Sequence, residues 1–175
     1  MVSGIPQGSV LGPLLFIIYI NDMVKASQNG SEVYLYADDS KIFRYIKDEK
    51  DAISLQNDLC FIVDWINKNI LKLNIDKCKI ISYGRVTCKY DYKIKNTILE
   101  RIDKIKDLGV VFDSKLKFAD HIKEKVKKAN SMLGLIKRNF SNMPCNACVT
   151  LYKSLVRSHL EYAEVVWSPH YKKRY

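Results

Sequence analysis

Cysteine, histidine and long apolar runs are scarce in this chain of 175 residues, and each scarcity excludes a class of protein. The five cysteines are odd in number and irregularly spaced, which argues against a secreted disulfide framework. Cys145 and Cys148 could supply half of a zinc site. No second cysteine pair lies at the spacing of a zinc finger, and the three histidines are scattered. The better interpretation is that Cys145 and Cys148 are simply small residues on a helix.

The apolar run VLGPLLFIIYI, from Val10 to Ile20, is about half the length that a bilayer-spanning helix needs. No basic region precedes it and Gly12-Pro13 interrupts it, so we expect a buried helix with Pro13 in its first turn. We expect no membrane partner. No targeting segment is evident, which predicts an intracellular protein, in the nucleus or the cytoplasm.

Positive charge dominates what is present, but it is unevenly spread. The net charge is +10; residues 1–40 hold one lysine and four acids, so the excess of basic residues lies entirely in residues 41–175. A small acidic region followed by a long basic one suggests a polyanionic partner such as a nucleic acid.

The hydrophobic pattern predicts mixed α and β structure up to about residue 113 and helices afterwards, without repeats or low-complexity tracts. The predicted elements are a helix from Pro13 to Ala26, strands at 32–36 and 41–46 around a turn at 37–40, a helix over 51–69, β-like runs at 71–75, 79–83, 92–95 and 108–112, and an amphipathic helix with Ile122, Val126, Ala129, Leu133 and Ile136 on its apolar side, followed by another helix.

Two adjacent carboxylates, Asp38 and Asp39, interrupt the strand-like stretch VYLYADDSKIF. A carboxylate pair at a turn can bind Mg²⁺, which takes oxygen ligands. Neighbouring side chains on a regular strand point to opposite faces, so one of the two is expected to be the main ligand. Aspartate is also a common turn residue, and the pair alone leaves metal site and plain turn open.

Four motifs in a fixed order resolve this ambiguity. GIPQGSVLGPLLF (Gly4 to Phe16), YADD (Tyr36 to Asp39), LNIDKCK (Leu73 to Lys79) and DLGVVF (Asp107 to Phe112) resemble motifs B, C, D and E of the reverse transcriptases of non-long-terminal-repeat (LINE-type) retrotransposons. The tail RSHLEYAEVVWSP, from Arg157 to Pro169, is similar to the region that follows the thumb in that family.

The resemblance implies an α+β fold: a partial polymerase palm over residues 1–113, with an antiparallel sheet and helices packed on one face, then an α-helical thumb and C-terminal tail over 114–175. It implies an RNA-directed DNA polymerase that uses an RNA template, a DNA primer, deoxynucleoside triphosphates and Mg²⁺, with Mn²⁺ as a possible substitute.

The family's roles transfer onto matching positions of this sequence. Asp38 would be a principal metal ligand and Asp39 a weaker one, Tyr36 would lie under the primer terminus, and Lys77 would neutralise or protonate the leaving pyrophosphate. The loop Pro6-Gln7-Gly8 would let the backbone approach the nascent base pair, since glycine lacks a Cβ. A solvated surface lysine is the alternative for Lys77.

One family element has no counterpart here. The family supplies a further metal-binding aspartate from motif A, upstream of motif B, and motif B begins at Gly4. Asp22 follows motif B and is in the wrong place to substitute. We therefore expect a fragment that lacks the fingers and motif A, has an incomplete metal site and does not polymerise alone.

Eight basic and two acidic residues lie between Lys115 and Arg138. Opposite the apolar side, the predicted helix presents Lys123, Lys127 and Lys128, an arrangement that suits phosphate contacts to a template–primer duplex. A solvated helix face is the alternative. Tyr152, Tyr162 and Trp167 are expected to pack in the core rather than stack on bases.

Two other functions remain open: a non-catalytic nucleic-acid-binding remnant, and a relative of group II intron maturases, which share the polymerase motifs. The DLGVVF and LEYAEVVW segments favour the LINE-type interpretation over the second.

Overall fold

A computed structural model describes residues 8–85, 88–140 and 142–168 of the chain. The chain forms two compact units, one of Met1–Ile80 with Arg85–Arg101 and one of Ile81–Gly84 with Ile102–Tyr175. The palm–thumb boundary near residue 113 concerns the family's architecture and stays a prediction.

The first unit opens with helix α1, Leu11–Ile20, followed by a 3₁₀ helix, Asn21–Ala26, and the hairpin of strands β1, Glu32–Tyr36, and β2, Asp39–Phe43. Helix α2, Glu49–Lys68, packs against the hairpin and the 3₁₀ helix. The core here is made by Met23, Ile62 and Ile66, with Val33, Leu35 and Ile42 of the hairpin packed on them.

Helix α2 forms where capping residues and apolar spacing agree. The Asp48 side chain accepts a hydrogen bond from the Asp51 N–H at 3.0 Å and so satisfies one of the free donors of the first turn. At the other end Ile70 takes a φ of +57°, and the Leu71 N–H bonds back to the Ile66 carbonyl at 3.0 Å. This is a Schellman ending, which ordinarily has glycine where Ile70 stands.

The rest of the first unit consists of short strands: β3, Lys79–Ile80, β4, Lys93–Ile94, β5, Thr97–Ile98, and β6, Glu100–Arg101. Strands β4 and β5 pair antiparallel and β3 pairs with β6 in parallel. Ile94 of β4, with Tyr92 and Leu99 from the segments next to these strands, packs with Ala52 and Val63 of α2 in a second core.

The second unit contains the hairpin β7, Lys104–Asp107, and β8, Val110–Asp113, followed by helix α3, Ala119–Asn139. Asp113 organises the connection, because its carboxylate accepts hydrogen bonds from the backbone N–H groups of Lys115, Lys117 and Phe118. Burial raises the pKa of Asp113, but these hydrogen bonds outweigh burial and hold the pKa below its usual value.

A helical stretch completes the second unit: α4, Cys145–Leu151, a π-helical segment, Tyr152–Arg157, α5, Ser158–Glu161, and α6, Glu164–Trp167. Ala129, Ile136 and Val156 form its core. Tyr162 donates to the Leu108 carbonyl at 2.8 Å and the Trp167 indole donates to the Tyr162 carbonyl at 2.7 Å. These hydrogen bonds hold both side chains, but Tyr162 is 49% exposed and Tyr152 is 43% exposed, so the expected core packing is wrong for the two tyrosines, and Trp167 is half-buried.

Two expectations about helices need correction. Helix α1 has Pro13 in its first turn, but it is not a buried helix: Leu14, Leu15 and Ile18 are more than half exposed, because the surrounding elements of this unit cover only one side of a helix that is apolar all round. On α3, His121 and Lys125 are buried while Val126 is exposed. No helix among the described residues is long and apolar enough to cross a membrane.

The expected α+β class agrees with this mixture of helices and small sheets. The expected single antiparallel sheet is not observed, since the described strands pair in four separate two-stranded sheets, one of them parallel. The run at 71–75 is no strand either: the chain turns at Ile70, and a 3₁₀ helix, Ile75–Lys77, follows.

Candidate functional site

The YADD segment lies at the tip of the β1–β2 hairpin. Tyr36 pairs with Asp39, which leaves Ala37 and Asp38 as a two-residue turn. Ala37 takes a φ of +50°, a left-handed conformation that tight hairpin turns require and that glycine or asparagine usually supplies. The predicted turn at 37–40 is therefore shorter than expected, and Asp39 is the first residue of β2.

The two faces of this hairpin differ in character. Directly opposed residues of an antiparallel pair point to the same face. Val33 and Ile42 face the core beneath, so Tyr36 and Asp39 share the outer face. Asp38 and Asp39 are both exposed, and the Tyr36 side chain is 61% exposed. The outer face thus presents Tyr36 and the Asp39 carboxylate to solvent at one end of the hairpin, and the Asp38 carboxylate is exposed beside them in the turn.

A buried carboxylate on α2 fixes the segment that leads into the hairpin. Asp58 is 0% exposed, and its carboxylate accepts backbone N–H groups from Gln28 at 2.9 Å, Asn29 at 2.8 Å and Ser31 at 3.2 Å. Burial raises the pKa of Asp58, and the hydrogen bonds from Ser31, Asn29 and Gln28 outweigh it and lower the pKa. The residues just before β1 are therefore tied to α2.

Arg44 ties the other end of the hairpin to the same place. Directly after β2, its guanidinium donates to the Asn29 carbonyl at 2.5 Å and to the Asp51 carboxylate at 3.3 Å, and it lies 4.0 Å from the Asp58 carboxylate. Both ends of the hairpin are thus fastened to α2, which positions the carboxylates at the tip. Sequence reasoning missed Asp58 and Arg44; an acidic residue on the apolar side of α2 was the available signal.

The other residues predicted for the site lie apart or outside the description. Gly8 is exposed with a φ of +84°, a conformation that favours glycine. Pro6 and Gln7 lie outside the described residues. Lys77 ends the 3₁₀ helix Ile75–Lys77, is exposed, and makes no ion pair with Asp38 or Asp39 within the described part of the chain.

The hairpin carboxylates are the type of ligand that a hard divalent cation takes. Within residues 8–85, 88–140 and 142–168, no three histidine, cysteine, aspartate or glutamate side chains converge. Asp22 is ion-paired with Lys25 at 2.8 Å. Asp38 and Asp39 therefore fit part of a metal site, and the described residues supply no third carboxylate.

The predicted lysines on α3 divide into two groups. Lys123, Lys127 and Lys128 are all exposed. Lys128 bonds to the Glu124 carboxylate at 2.8 Å and Lys106 of β7 bonds to the same carboxylate at 3.1 Å. The hydrogen bonds from Lys128 and Lys106 lower the pKa of Glu124 to about 2.

Lys123 and Lys127, four residues apart, form no ion pair with any described residue. Of the three predicted lysines, these two keep their charge uncompensated for an external anion. The Glu124 carboxylate is shared by Lys106 and Lys128, which leaves Lys128 as the weaker candidate.

A family model described as reverse transcriptase (RNA-dependent DNA polymerase) matches residues 1–135. The chain belongs to the reverse transcriptase family. The resemblance that the four ordered motifs carry is thereby confirmed.

Similar proteins come from insect mobile elements. The chain is 27% identical to the RNA-directed DNA polymerase from mobile element jockey of Drosophila melanogaster and 31% identical to that of Drosophila funebris, over 95% and 94% of its length. It is 28% identical, over its whole length, to the probable RNA-directed DNA polymerase from transposon BS of Drosophila melanogaster. These relatives support a reverse transcriptase of the non-LTR type.

The reverse transcriptase chain spans about a fifth of the length of these relatives: 19% of each jockey polymerase and 21% of the transposon BS polymerase. No solved structure matches it.

Proposed function

We propose that this chain is the part of a retrotransposon RNA-directed DNA polymerase that carries the YADD hairpin and a duplex-contacting helix. The observation that carries the proposal is the hairpin tip, where Asp38 and Asp39 stand exposed at a two-residue turn whose base is fastened to α2. The ordered motifs and the family match support the same conclusion.

Asp38 and Asp39 would hold Mg²⁺, or Mn²⁺ in its place, with Asp38 as the principal ligand. Bound there, the divalent ion supplies charge neutralisation for phosphoryl transfer from a deoxynucleoside triphosphate. Tyr36 shares the outer face with Asp39 and would support a primer terminus there. The left-handed φ of +50° at Ala37 makes the turn in which the Asp38 carboxylate is exposed.

Two further roles follow from the motifs and rest on them alone. The Pro6-Gln7-Gly8 loop would contact the nascent base pair, and Lys77 would act on the leaving pyrophosphate. Lys77 is exposed and has no carboxylate partner among the described residues, so its charge is available to an anionic group.

Helix α3 would grip the template–primer duplex through Lys123 and Lys127, as part of a thumb. Phosphate contacts of this kind position a duplex without reading its sequence. Each phosphate neutralised contributes about 0.9 to the slope of log affinity against log salt for B-form DNA. Removal of both lysines should therefore make the slope of log affinity against log salt shallower by about 1.8, which corresponds to two lost phosphate contacts.

Filter binding of a primer–template duplex across a salt series tests this role. We expect Lys123→Ala/Lys127→Ala to weaken binding and flatten the salt slope, and Lys128→Ala to change both less, because Glu124 already compensates that cation. Equal effects of the double variant and the Lys128 variant would contradict the assignment.

Primer extension on poly(rA)/oligo(dT) with Mg²⁺ tests catalysis. We expect no extension by the 175-residue chain, because the described residues bring no third carboxylate to Asp38 and Asp39, and two carboxylates alone would hold the metal ion weakly. Extension that Asp38→Asn abolishes would overturn the incomplete-site argument. Duplex binding without extension, even when the chain is joined to an upstream polymerase segment that carries the missing aspartate, would favour the non-catalytic binding remnant.

A further inference from the structure

A pair of cysteines lies outside the polymerase site, in the first turn of α4. Cys145 is the first residue of the helix and Cys148 lies three positions later, and both are exposed with free thiols. Residues three apart in an α-helix have Cα atoms about 5 Å apart by helix geometry. Disulfides form at Cα separations of about 4.4 to 6.8 Å. The Cα separation therefore falls within the range that disulfides span.

The first turn can make the remaining adjustment. Cβ atoms three apart on a regular helix are separated by about 5–6 Å, whereas a disulfide needs about 3.5–4.5 Å. The backbone before the helix is extended at Pro144, with φ −57° and ψ 142°, and the turn is closed by the Cys148 N–H on the Pro144 carbonyl at 3.0 Å. Because the preceding N–H groups have no acceptor within a helix, closure disturbs few hydrogen bonds.

The rest of the helix holds the pair toward solvent. Met143 and Leu151, on either side of the two cysteines, pack against the core of Ala129, Ile136 and Val156. The described residues provide no third histidine, cysteine, aspartate or glutamate that would complete a metal site with the pair. A two-thiol reaction is thus the chemistry that these neighbours leave open.

We propose that Cys145 and Cys148 form a reversible thiol–disulfide site whose oxidant is a small-molecule disulfide. One cysteine thiolate attacks a sulfur of the oxidant, breaks its S–S bond and releases one thiolate. The second cysteine attacks the mixed disulfide, forms the Cys145–Cys148 bond and releases the second thiolate. The two protons of the protein thiols pass to the released thiolates, and the pair loses the two electrons that the oxidant gains. The adjustment that closure requires makes the bond easy to reduce, so the site is reversible rather than structural.

Oxidation of the full chain in mixtures of reduced and oxidised glutathione tests this, with alkylation of remaining thiols and mass spectrometry of the peptide between Arg138 and Lys153. We expect that peptide to lose two hydrogen masses and resist alkylation, with a midpoint that does not depend on protein concentration. Cys145→Ser and Cys148→Ser should instead retain a glutathione adduct on the remaining cysteine, and Cys60→Ser, at an exposed single cysteine, should leave the titration unchanged.

Other products would overturn the proposal. They are glutathione adducts on both cysteines of the wild-type chain without an internal bond, disulfide-linked dimers through either cysteine, and an unmodified pair under conditions that glutathionylate Cys60. The serine substitutions lie on an exposed helical turn, and circular dichroism of each variant establishes that α4 is intact when thiol chemistry is compared.

Discussion

Asp58 provides the strongest quantitative test of how the YADD hairpin is held. Asp58→Ala removes the acceptor of three backbone N–H groups. The Ser31 N–H belongs to a buried residue and would be left unpaired, while Gln28 and Asn29 can recover water. A hydrogen bond to a charged group is worth about 1.5–3 kcal/mol, and breaking a buried ionic network costs about 3–5 kcal/mol. We expect Asp58→Ala to lower the free energy of unfolding by about 3–5 kcal/mol.

Asp58→Asn is the matched variant, because it keeps the shape and one acceptor oxygen. We expect it to cost about 1–3 kcal/mol, because it removes the negative charge and the hydrogen bond that the Ser31 N–H donates. Asp64→Ala is the control, an exposed aspartate on the same helix that should change stability by less than about 0.5 kcal/mol. Urea unfolding followed by circular dichroism measures all three, and amide hydrogen exchange in β1 reports whether the hairpin loosens first.

The Asp58 pKa adds an independent readout. The folded chain holds this pKa below its ordinary value of 3.8, so the stabilisation is present above pH 3.8 and is lost as the pH falls through the folded pKa. Asp58→Asn should lack this part of the loss of stability at acidic pH. If the free energy of unfolding of Asp58→Ala lies within about 1 kcal/mol of the wild-type value, or if the β1 amides exchange at unchanged rates, the Asp58 hydrogen bonds do not hold the hairpin.

Three further outcomes are expected from backbone conformation and burial. Ile70→Gly should raise the free energy of unfolding by about 1 kcal/mol in urea titrations, because Ile70 is 91% exposed and sits at φ +57°; a drop in stability would refute this. Gly109→Ala should destabilise by about 1–2 kcal/mol, since φ is +79° and the new Cβ would stand 3.1 Å from Tyr162; an unchanged melting temperature would count against it. Burial and then the Lys125 charge lower the pKa of His121 below 6.5; Lys106 and Lys128 add to this effect and Glu124 opposes it. The contribution of His121 to the free energy of unfolding is therefore complete above pH 6.5 and is lost as the pH falls through the folded pKa. His121→Gln should remove that slope from unfolding measured between about pH 8 and 5, and an identical slope in the variant would exclude His121 as its source.

The sequence by itself determined the elements that local patterns encode. The apolar spacing from Ala52 to Ile66 predicted α2, which runs Glu49–Lys68, and alternation predicted β1 at Glu32–Tyr36. The two strand-like runs around the turn residues predicted the YADD hairpin, and the four ordered motifs predicted the family. These predictions succeeded because helix periodicity, strand alternation and motif order are carried by neighbouring residues along the chain.

Only the tertiary structure decided which charges are buried, paired or free. In the sequence, Asp58 looks like any other polar residue of α2, but its role depends on backbone N–H groups almost thirty residues earlier in the chain. The ammonium of the buried Lys125 lies 4.8 Å from the centre of the Tyr162 ring, and the Nδ1 of the buried His121 accepts the Val111 N–H at 3.2 Å. Such partners are distant in sequence, so no local pattern encodes them; packing brings them together, and the burial of each charge follows from the partner it finds.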